Sequence, residues 1–290
     1  MVNNSKQIIS FIQSALNKNV LSLSPLSGGS IASSYRVELE NKQSLFVKIS
    51  PQHPDMFIKE ANGLRELRKA NALRVPNIIF VTEEILILEF LPVSSPTNRR
   101  VFFEQFGMQF AQLHRCNSDQ FGFDENNFIG STPQKNFPRM NSWKDFFITN
   151  RLEFQFKLAE QNRYIDKEIV SLYQKLEKHV EHLIQGDGES PALLHGDLWS
   201  GNYLCLVNDI PAVIDPAVYY GHREADLAMT MLFGGFSEPF YESYHKEYPL
   251  NDGWQRRCEL YKLYHLFNHL NLFGEGYYPQ VVGTMKFLIK

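Results

Sequence analysis

Two aspartates and an asparagine in the second half of the chain could together orient a hydroxyl group and hold a metal ion. Asp197 and Asn202 lie five positions apart in the segment HGDLWSGN, and Asp215 follows in the segment IDP. A carboxylate can align an acceptor hydroxyl and receive its proton, while hard oxygen ligands suit magnesium. Phosphoryl transfer requires these groups, because charge on the phosphoryl must be neutralised while the attacking oxygen stays in line.

The order and spacing of these residues favour catalysis over a structural role. Asp197 or Asn202 alone would usually cap a turn or adopt a tight loop conformation. Their interval, with a later Asp215, matches the catalytic loop of protein kinases, where Asp positions the hydroxyl and Asn holds magnesium. We predict Asp197 as the catalytic residue and Asn202 and Asp215 as metal ligands. His195 and Asp226 are predicted to support this loop structurally.

A lysine and a glutamate in the first half of the chain could fix the phosphates of a nucleotide. Lys48 lies in the predicted strand FVKI, and Glu60 lies on the helix predicted to follow it. A carboxylate there could hold the ammonium that grips the α- and β-phosphates. A solvated surface pair is the ordinary alternative. The position of Lys48 after a glycine turn favours the functional interpretation.

Two further segments could contact a nucleotide through their backbones. Before the lysine strand, the amides of a Ser-Gly-Gly-Ser turn could approach phosphate closely, although glycines usually mark ordinary turns and the chain has no GxxxxGK[ST] element. A segment linking the two halves of the chain could bind adenine, although a plain strand end predicts the same residues. The predicted nucleotide-binding residues are Gly28, Gly29, Ser30, Lys48, Glu60, Glu89, Phe90 and Leu91.

The first ninety residues predict a small sheet that would position Lys48. An amphipathic helix over Lys6–Leu16 precedes the sheet, and a second helix is predicted over Met56–Ala70. Runs of β-branched and aromatic residues predict the strands. The predicted strands are Ser34–Leu39, Ser44–Ile49, Asn77–Val81 and Ile85–Phe90, with a glycine turn over Ser24–Ile31.

Beyond Pro92 the pattern becomes mainly helical. Apolar residues recur at three- and four-residue spacing over Phe102–Arg115, Ser142–Leu158, Ile165–Ile184 and Gln255–Phe273. Short apolar runs at Ala192–Leu194, Tyr203–Val207 and Ala212–Ile214 adjoin polar clusters, which predicts loops at a cleft. The predicted class is α+β, with residues 1–91 as a nucleotide-binding lobe of mainly antiparallel strands and residues 92–290 as a catalytic and substrate-binding lobe.

Composition excludes several classes of protein. The 290 residues are 43% hydrophobic with a formal net charge of −3, and the thin spread of Lys and Arg disfavours nucleic-acid binding. Three cysteines without a CxxC pair predict neither a zinc site nor a disulfide framework, which fits a reducing cytoplasm. Without a leader-like start or a stretch of about 20 apolar residues, we expect neither secretion nor membrane insertion.

Two segments narrow the interpretation to one family. HGDLWSGN, together with DPAVYYGHREADLAMTMLFGGF from Asp215 to Phe236, closely resembles the fructosamine kinase family, also called ketosamine 3-kinases. HGD with the later Asn and Asp would indicate only the wider aminoglycoside-phosphotransferase-like class. Trp199 and the GHRE segment narrow the resemblance to the fructosamine kinase family. The resemblance implies a two-lobed protein-kinase-like fold, ATP with Mg²⁺ as cofactors, and phosphorylation of the 3-hydroxyl of a small-molecule or protein-bound ketosamine.

Further predictions concern the substrate pocket. Trp199 could stack on the ketoamine or restrict the pocket, although a core tryptophan is the ordinary alternative. His269 matches a family position at this pocket, although a lone helical histidine more often serves packing. Arg223 and Glu224 would form a surface pair or border the substrate site.

Two other functions stay open from the sequence. A kinase for another small alcohol, such as an aminoglycoside or choline, would share the fold. Polycationic aminoglycosides would favour an acidic lining, whereas Trp199, Tyr219, Tyr220 and Tyr277 suggest an aromatic one. A nucleotide-binding pseudokinase should lack a phosphoryl-transfer group, and none is missing.

Overall fold

The computed structural model describes residues 5–26, 32–50, 55–184 and 188–290 of the chain. The first part is an antiparallel sheet with two helices, and the second part is mainly helical. The predicted α+β class is therefore confirmed. No helix within these ranges is long and apolar enough to cross a membrane.

The sheet has five strands in the order β1-β2-β3-β5-β4. Neighbouring strands pair antiparallel throughout, and β3 lies at the centre, which fixes the position of Lys48. The strands are β1 Val20–Leu26, β2 Ser33–Leu39, β3 Ser44–Ile49, β4 Ile78–Val81 and β5 Ile85–Glu89. Each predicted strand is present within about two residues.

Strand β1 was not predicted, because its end falls where the sequence predicts a glycine turn. Pro25 interrupts the apolar pattern there and usually argues against a strand. The structure places β1 at the edge of the sheet, with Pro25 opposite Tyr35. An edge strand tolerates proline because one row of its backbone groups needs no partner strand.

The two helices of the first part cover opposite faces of the sheet. Helix α1, Ser5–Leu16, packs Ile8 and Ile12 against a cluster that includes Val47 and Ile87. Helix α2, Met56–Lys69, packs into the larger core with Leu86 and Leu88. Successive side chains of a strand point to opposite faces, so the apolar residues at the start of β5 serve both clusters, Ile85 and Ile87 on one face and Leu86 and Leu88 on the other.

The second part consists of helices with three short antiparallel strand pairs between them. The helices are α3 Arg99–Leu113, α4 Trp143–Phe147, α5 Phe154–Gln161, α6 Lys167–Ile184, α7 Arg223–Thr230, α8 Glu238–Glu247, α9 Trp254–Phe273 and α10 Tyr278–Leu288. The strand pairs are β6 Asn127–Ile129 with β7 Thr132–Gln134, β8 Ala192–Leu194 with β11 Tyr219–Gly221, and β9 Tyr203–Cys205 with β10 Pro211–Val213.

Several helical predictions needed correction in detail. The single helix predicted over Ser142–Leu158 consists of α4, a π-helical segment Ile148–Glu153 and α5. Helices α7, α8 and α10 were not predicted. In α7 every residue is buried, so the sequence shows no alternation between apolar and polar faces.

Candidate active site

A cleft of about 900 Å³ lies between the sheet and the helical part. Strands β3 and β5 and helix α2 form one wall, and the segment from Asp197 to Asn202 with α9 forms the other. Ten of the predicted site residues line this cleft: Lys48, Glu60, Glu89, Phe90, Leu91, Asp197, Trp199, Asn202, Asp215 and His269. The other three, Gly28, Gly29 and Ser30, lie outside the described residues.

The side chain of Asn202 holds the loop that carries Asp197. Its Nδ2 donates to the backbone oxygen of Asp197 at 2.8 Å and to Asp197 Oδ2 at 3.2 Å. Burial, together with the nearby carboxylates of Asp215 and Asp226, raises the pKa of Asp197. The amide oxygen of Asn202 is the atom that would meet a cation, because the two hydrogen bonds described above use the nitrogen of the side chain.

His195 supports the loop and is not placed to act as a base. Its ring Nε2 lies 2.9 Å from the carbonyl oxygen of Ile214, and the backbone N–H of Asp197 donates to Nδ1 at 3.3 Å. These two contacts together require a neutral ring protonated at Nε2. Burial lowers the pKa of His195, which favours this neutral form. The structural role predicted for His195 agrees with these contacts.

The loop that carries Asp197 is anchored on a buried carboxylate in α7. Asp226 accepts the backbone N–H of His195 at 2.6 Å and that of Gly196 at 2.8 Å, and His114 Nε2 lies 3.2 Å away. Gly196 has φ 83°, and a Cβ there would lie 2.0 Å from the oxygen of Ala217. Only glycine permits this left-handed conformation and close approach without strain.

Removing the Asp226 carboxylate should destabilise the fold. In Asp226→Ala, three buried donors lose their acceptor at about 1–3 kcal/mol each, so we expect a loss of about 3–9 kcal/mol in the free energy of unfolding. Urea unfolding measures this change, with Asp119→Ala at an exposed position as the matched control. A loss below about 1 kcal/mol would contradict the anchoring role.

The Lys48 side chain, on strand β3, contacts two carboxylates, those of Glu60 and Asp215. Its Nζ lies 2.8 and 3.0 Å from the two oxygens of Glu60 and 2.6 Å from Asp215 Oδ1. Burial lowers the pKa of the ammonium, but the attraction of Asp215 and Glu60 outweighs burial and raises it. A cation held in this way is a fixed point charge beside the metal-binding candidates.

Asp215 follows β10 in a left-handed backbone conformation. Its φ is 55°, an uncommon value for a residue other than glycine. The side chain is 40% exposed to the cleft and contacts Lys48. Strained backbone at a cleft-lining carboxylate is typical of a functional position.

The segment linking the two parts is fixed by side-chain contacts. The carboxylate of Glu89 forms an ion pair with Arg74 and accepts from the backbone N–H of Asn77 at 3.1 Å and from its Nδ2 at 2.7 Å. This side chain is therefore structural, and any contact with adenine belongs to the backbone. Sequence reasoning missed the apolar walls beside this segment, formed by Ala32, Phe46, Met56, Leu88, Leu204 and Ile214.

Aromatic side chains line the helical wall of the cleft. Trp199 is 38% exposed, and a Cβ at Gly201 would lie 2.4 Å from its ring, so glycine lets the indole lie against the loop. Phe233, Phe273 and Tyr277 line the cleft near His269. The phenylalanines were not predicted: Phe233 lies within the segment Asp215–Phe236 but was assigned no role there, and Phe273 ends a helix far from that segment.

Four residues considered for the substrate side lie elsewhere. Tyr219 is 2% exposed in the core, and the Tyr220 hydroxyl donates to Glu66 at 2.9 Å; neither lines the cleft. Arg223 and Glu224 form separate buried ion pairs, with Glu189 at 2.7 Å and with Arg257 at 2.7 Å respectively. The two alternatives raised for Arg223 and Glu224, a surface pair or a substrate border, are both wrong.

Known proteins are similar to this chain over most of its length. The family model described as fructosamine kinase matches residues 4–290. A probable ketoamine kinase of Synechocystis is 40% identical over 269 residues, which are 90% of this chain and 88% of that protein. A chloroplastic protein-ribulosamine 3-kinase of Arabidopsis thaliana is 39% identical over 242 residues, which are 81% of this chain and 72% of that protein.

A solved structure agrees over the same length. The crystal structure of a Thermobifida fusca protein, described provisionally as a fructosamine-3-kinase, superposes with a TM-score of 0.88 at 32% identity and covers 98% of each chain. The chain belongs to the fructosamine kinase family.

Proposed function

We propose that this protein transfers the γ-phosphate of ATP to the 3-hydroxyl of a ketosamine of the ribulosamine, erythrulosamine or fructosamine type. The observation that carries the proposal is the meeting of Lys48 and Glu60 with Asp197, Asn202 and Asp215 on the two walls of one cleft. The names of the relatives support ketosamines as the substrate class. In this proposal residues 1–91 bind the nucleotide and residues 92–290 carry catalysis and the acceptor.

The donor side of the cleft fits ATP. Apolar side chains flank the segment Glu89-Phe90-Leu91, as a purine ring requires, and the Lys48 ammonium provides positive charge for phosphate oxygens. Glu60 keeps this ammonium in place. The roles of Gly28, Gly29 and Ser30 at the phosphates stay predictions.

The residues present also fit magnesium. Asn202 and Asp215 offer hard oxygen atoms, which magnesium prefers as ligands. Burial, and then the negative charge of Asp215, raise the pKa of Asp197, and a bound cation would offset this repulsion between carboxylates. Among the described residues no group of three His, Cys, Asp or Glu forms a metal site. Magnesium is commonly held by one or two carboxylates with substrate phosphates, so this is expected. When bound, it neutralises charge on the phosphates.

Asp197 is the proposed acceptor of the proton from the sugar hydroxyl. His195 keeps its ring engaged with Ile214, so Asp197 is the carboxylate in this loop left to orient the hydroxyl. Phosphate on the third carbon becomes a leaving group once the ketoamine enolises. The product can then decompose and free the amine, which would make the reaction a deglycation.

A substrate panel tests the proposal. ATP consumption and product mass are measured with ribulosamines, erythrulosamines, fructosamines, aminoglycosides, choline and simple alcohols. We expect ketosamines to be phosphorylated with the highest kcat/KM. Preference for an aminoglycoside or choline would overturn the substrate class, and nucleotide binding without transfer to any alcohol would indicate a pseudokinase.

Activity should be insensitive to mild oxidants. Cys205 and Cys258 are buried and Cys116 is partly buried, and burial raises the pKa of all three thiols, so little thiolate is present at neutral pH. The family resemblance implies that some members carry a cysteine in the Ser-Gly-Gly-Ser turn and form disulfide-joined dimers, whereas this chain has Ser30 at that place. Activity and non-reducing gels with and without diamide measure the effect. Reversible inactivation with a thiol-sensitive dimer band would contradict it.

A further inference from the structure

Four aromatic side chains form a continuous surface on the helical wall of the cleft. We call Phe233, His269, Phe273 and Tyr277 the aromatic rim. The ring centroids of Phe233, Phe273 and Tyr277 lie 4.6, 5.4 and 5.1 Å from that of His269, which occupies the centre. All four side chains line the cleft that also contains Asp197.

The rim leaves large apolar rings open to solvent. Phe273 is 53% exposed and Phe233 is 38% exposed. Phe233 has φ 54°, a conformation that is costly for a bulky residue, and Gly234 and Gly235 beside it also have positive φ. Grouped exposed aromatic rings inside a cleft are typical of a binding surface.

The charge around the rim indicates what it can bind. Among the described residues that line the cleft, the positively charged side chains are Lys48 and Lys59, which pair with Glu60 at 2.8 Å and Glu125 at 2.5 Å. The ring of His269 lies with Nδ1 2.8 Å from the His265 carbonyl, and burial lowers its pKa. The rim therefore offers aromatic faces and no cation to neutralise a carboxylate.

We propose that the aromatic rim binds the amine substituent of the ketosamine, and that it selects a substituent with an alkyl stem and no carboxylate beside the nitrogen. The inference rests on the proposed function. The secondary amine of a ketosamine is protonated at neutral pH, so aromatic faces attract it through cation–π contact while methylene groups of the stem pack on the rings. An adduct on the α-amine of an amino acid brings a carboxylate to the same surface, where it loses water without gaining a partner.

The first experiment compares three substrates with the same sugar. The sugar is attached to propylamine, to the ε-amine of Nα-acetyl-lysine amide, or to the α-amine of glycine, and the unsubstituted amino sugar serves as reference. We expect kcat/KM for the two alkyl adducts to exceed that for the glycine adduct by about tenfold, the cost of one unpaired charge at a partly solvated site. Equal kcat/KM values, or preference for glycine, would overturn the selection.

The second experiment tests the rim itself. Phe273→Ala should raise KM for the alkyl adducts by about 5- to 30-fold, the loss of one cation–π and packing contact, and leave KM for ATP unchanged. Phe273→Leu, which keeps apolar volume without a π face, should show an intermediate effect. The matched control is Phe287→Ala, since Phe287 is 49% exposed and does not line the cleft.

The outcomes separate this inference from the proposed function. If no ketosamine is phosphorylated, the proposed function fails and the rim inference fails with it. If ketosamines are phosphorylated but Phe273→Ala changes KM equally for the alkyl adducts and the unsubstituted amino sugar, or changes neither, the rim inference alone is wrong. A changed KM for the alkyl adducts alone, with wild-type kinetics for Phe287→Ala, supports it.

Discussion

Asp197→Asn is expected to lower kcat by about 10²- to 10⁴-fold, the usual contribution of a positioned general base. Asparagine keeps the shape of the side chain but cannot receive the hydroxyl proton. The Asn202 bond to the backbone oxygen of residue 197, at 2.8 Å in the wild type, does not depend on the carboxylate. The loop should therefore keep its conformation, and KM for ATP should change little.

Steady-state kinetics with the best ketosamine of the panel measure the effect. Thermal unfolding checks that the variant is folded, and Asp119→Asn, at an exposed position, gives the same chemical change away from the cleft. A kcat within about threefold of wild type would remove Asp197 from its role, because such a factor is below one kcal/mol of transition-state stabilisation.

The positions of the proposed catalytic groups could be predicted because local sequence specifies them. Asp197 and Asn202 share one tight loop, and the hydrogen bond between them needs only their five-residue interval. Strand β3 carries Lys48 in a run of β-branched and aromatic residues whose period is set by the pleat. Such features depend on neighbours along the chain, so they can be read before the fold is known.

The aromatic rim and the buried ion pairs could not be predicted in the same way. Phe233 follows α7, whereas Phe273 ends α9, and only the packing of α7 on α9 brings them together. Arg223 is 1% exposed although an arginine beside a glutamate usually indicates a solvated pair. Its partner, Glu189, lies far away in sequence. Sequence spacing carries no information about contacts of this kind.

Asp215→Asn is expected to raise the magnesium concentration needed for half-maximal activity by at least about tenfold, because it removes one negative charge from an oxygen ligand set. The wild-type carboxylate also lies 2.6 Å from Lys48 Nζ, so the variant leaves Lys48 paired with Glu60 and able to contact phosphate. Initial rates across a magnesium series at fixed ATP measure the shift. Thermal stabilisation by ATP, with magnesium or with EDTA, gives a second readout that does not depend on turnover.

Asp197→Asn provides the matched comparison for this result, because it removes the same charge from the same cleft. If the total charge of the cleft alone determined magnesium affinity, the two variants would raise the magnesium requirement by the same factor. The proposed division of labour predicts a difference: Asp197→Asn should lower kcat at a magnesium requirement close to wild type, whereas Asp215→Asn should shift the requirement itself. The left-handed backbone of Asp215, with φ 55°, accompanies a carboxylate that contacts Lys48 and lines the cleft. A negative charge placed anywhere in the cleft would not need this specific backbone conformation. Equal magnesium curves for Asp215→Asn and wild type would remove Asp215 from the metal site.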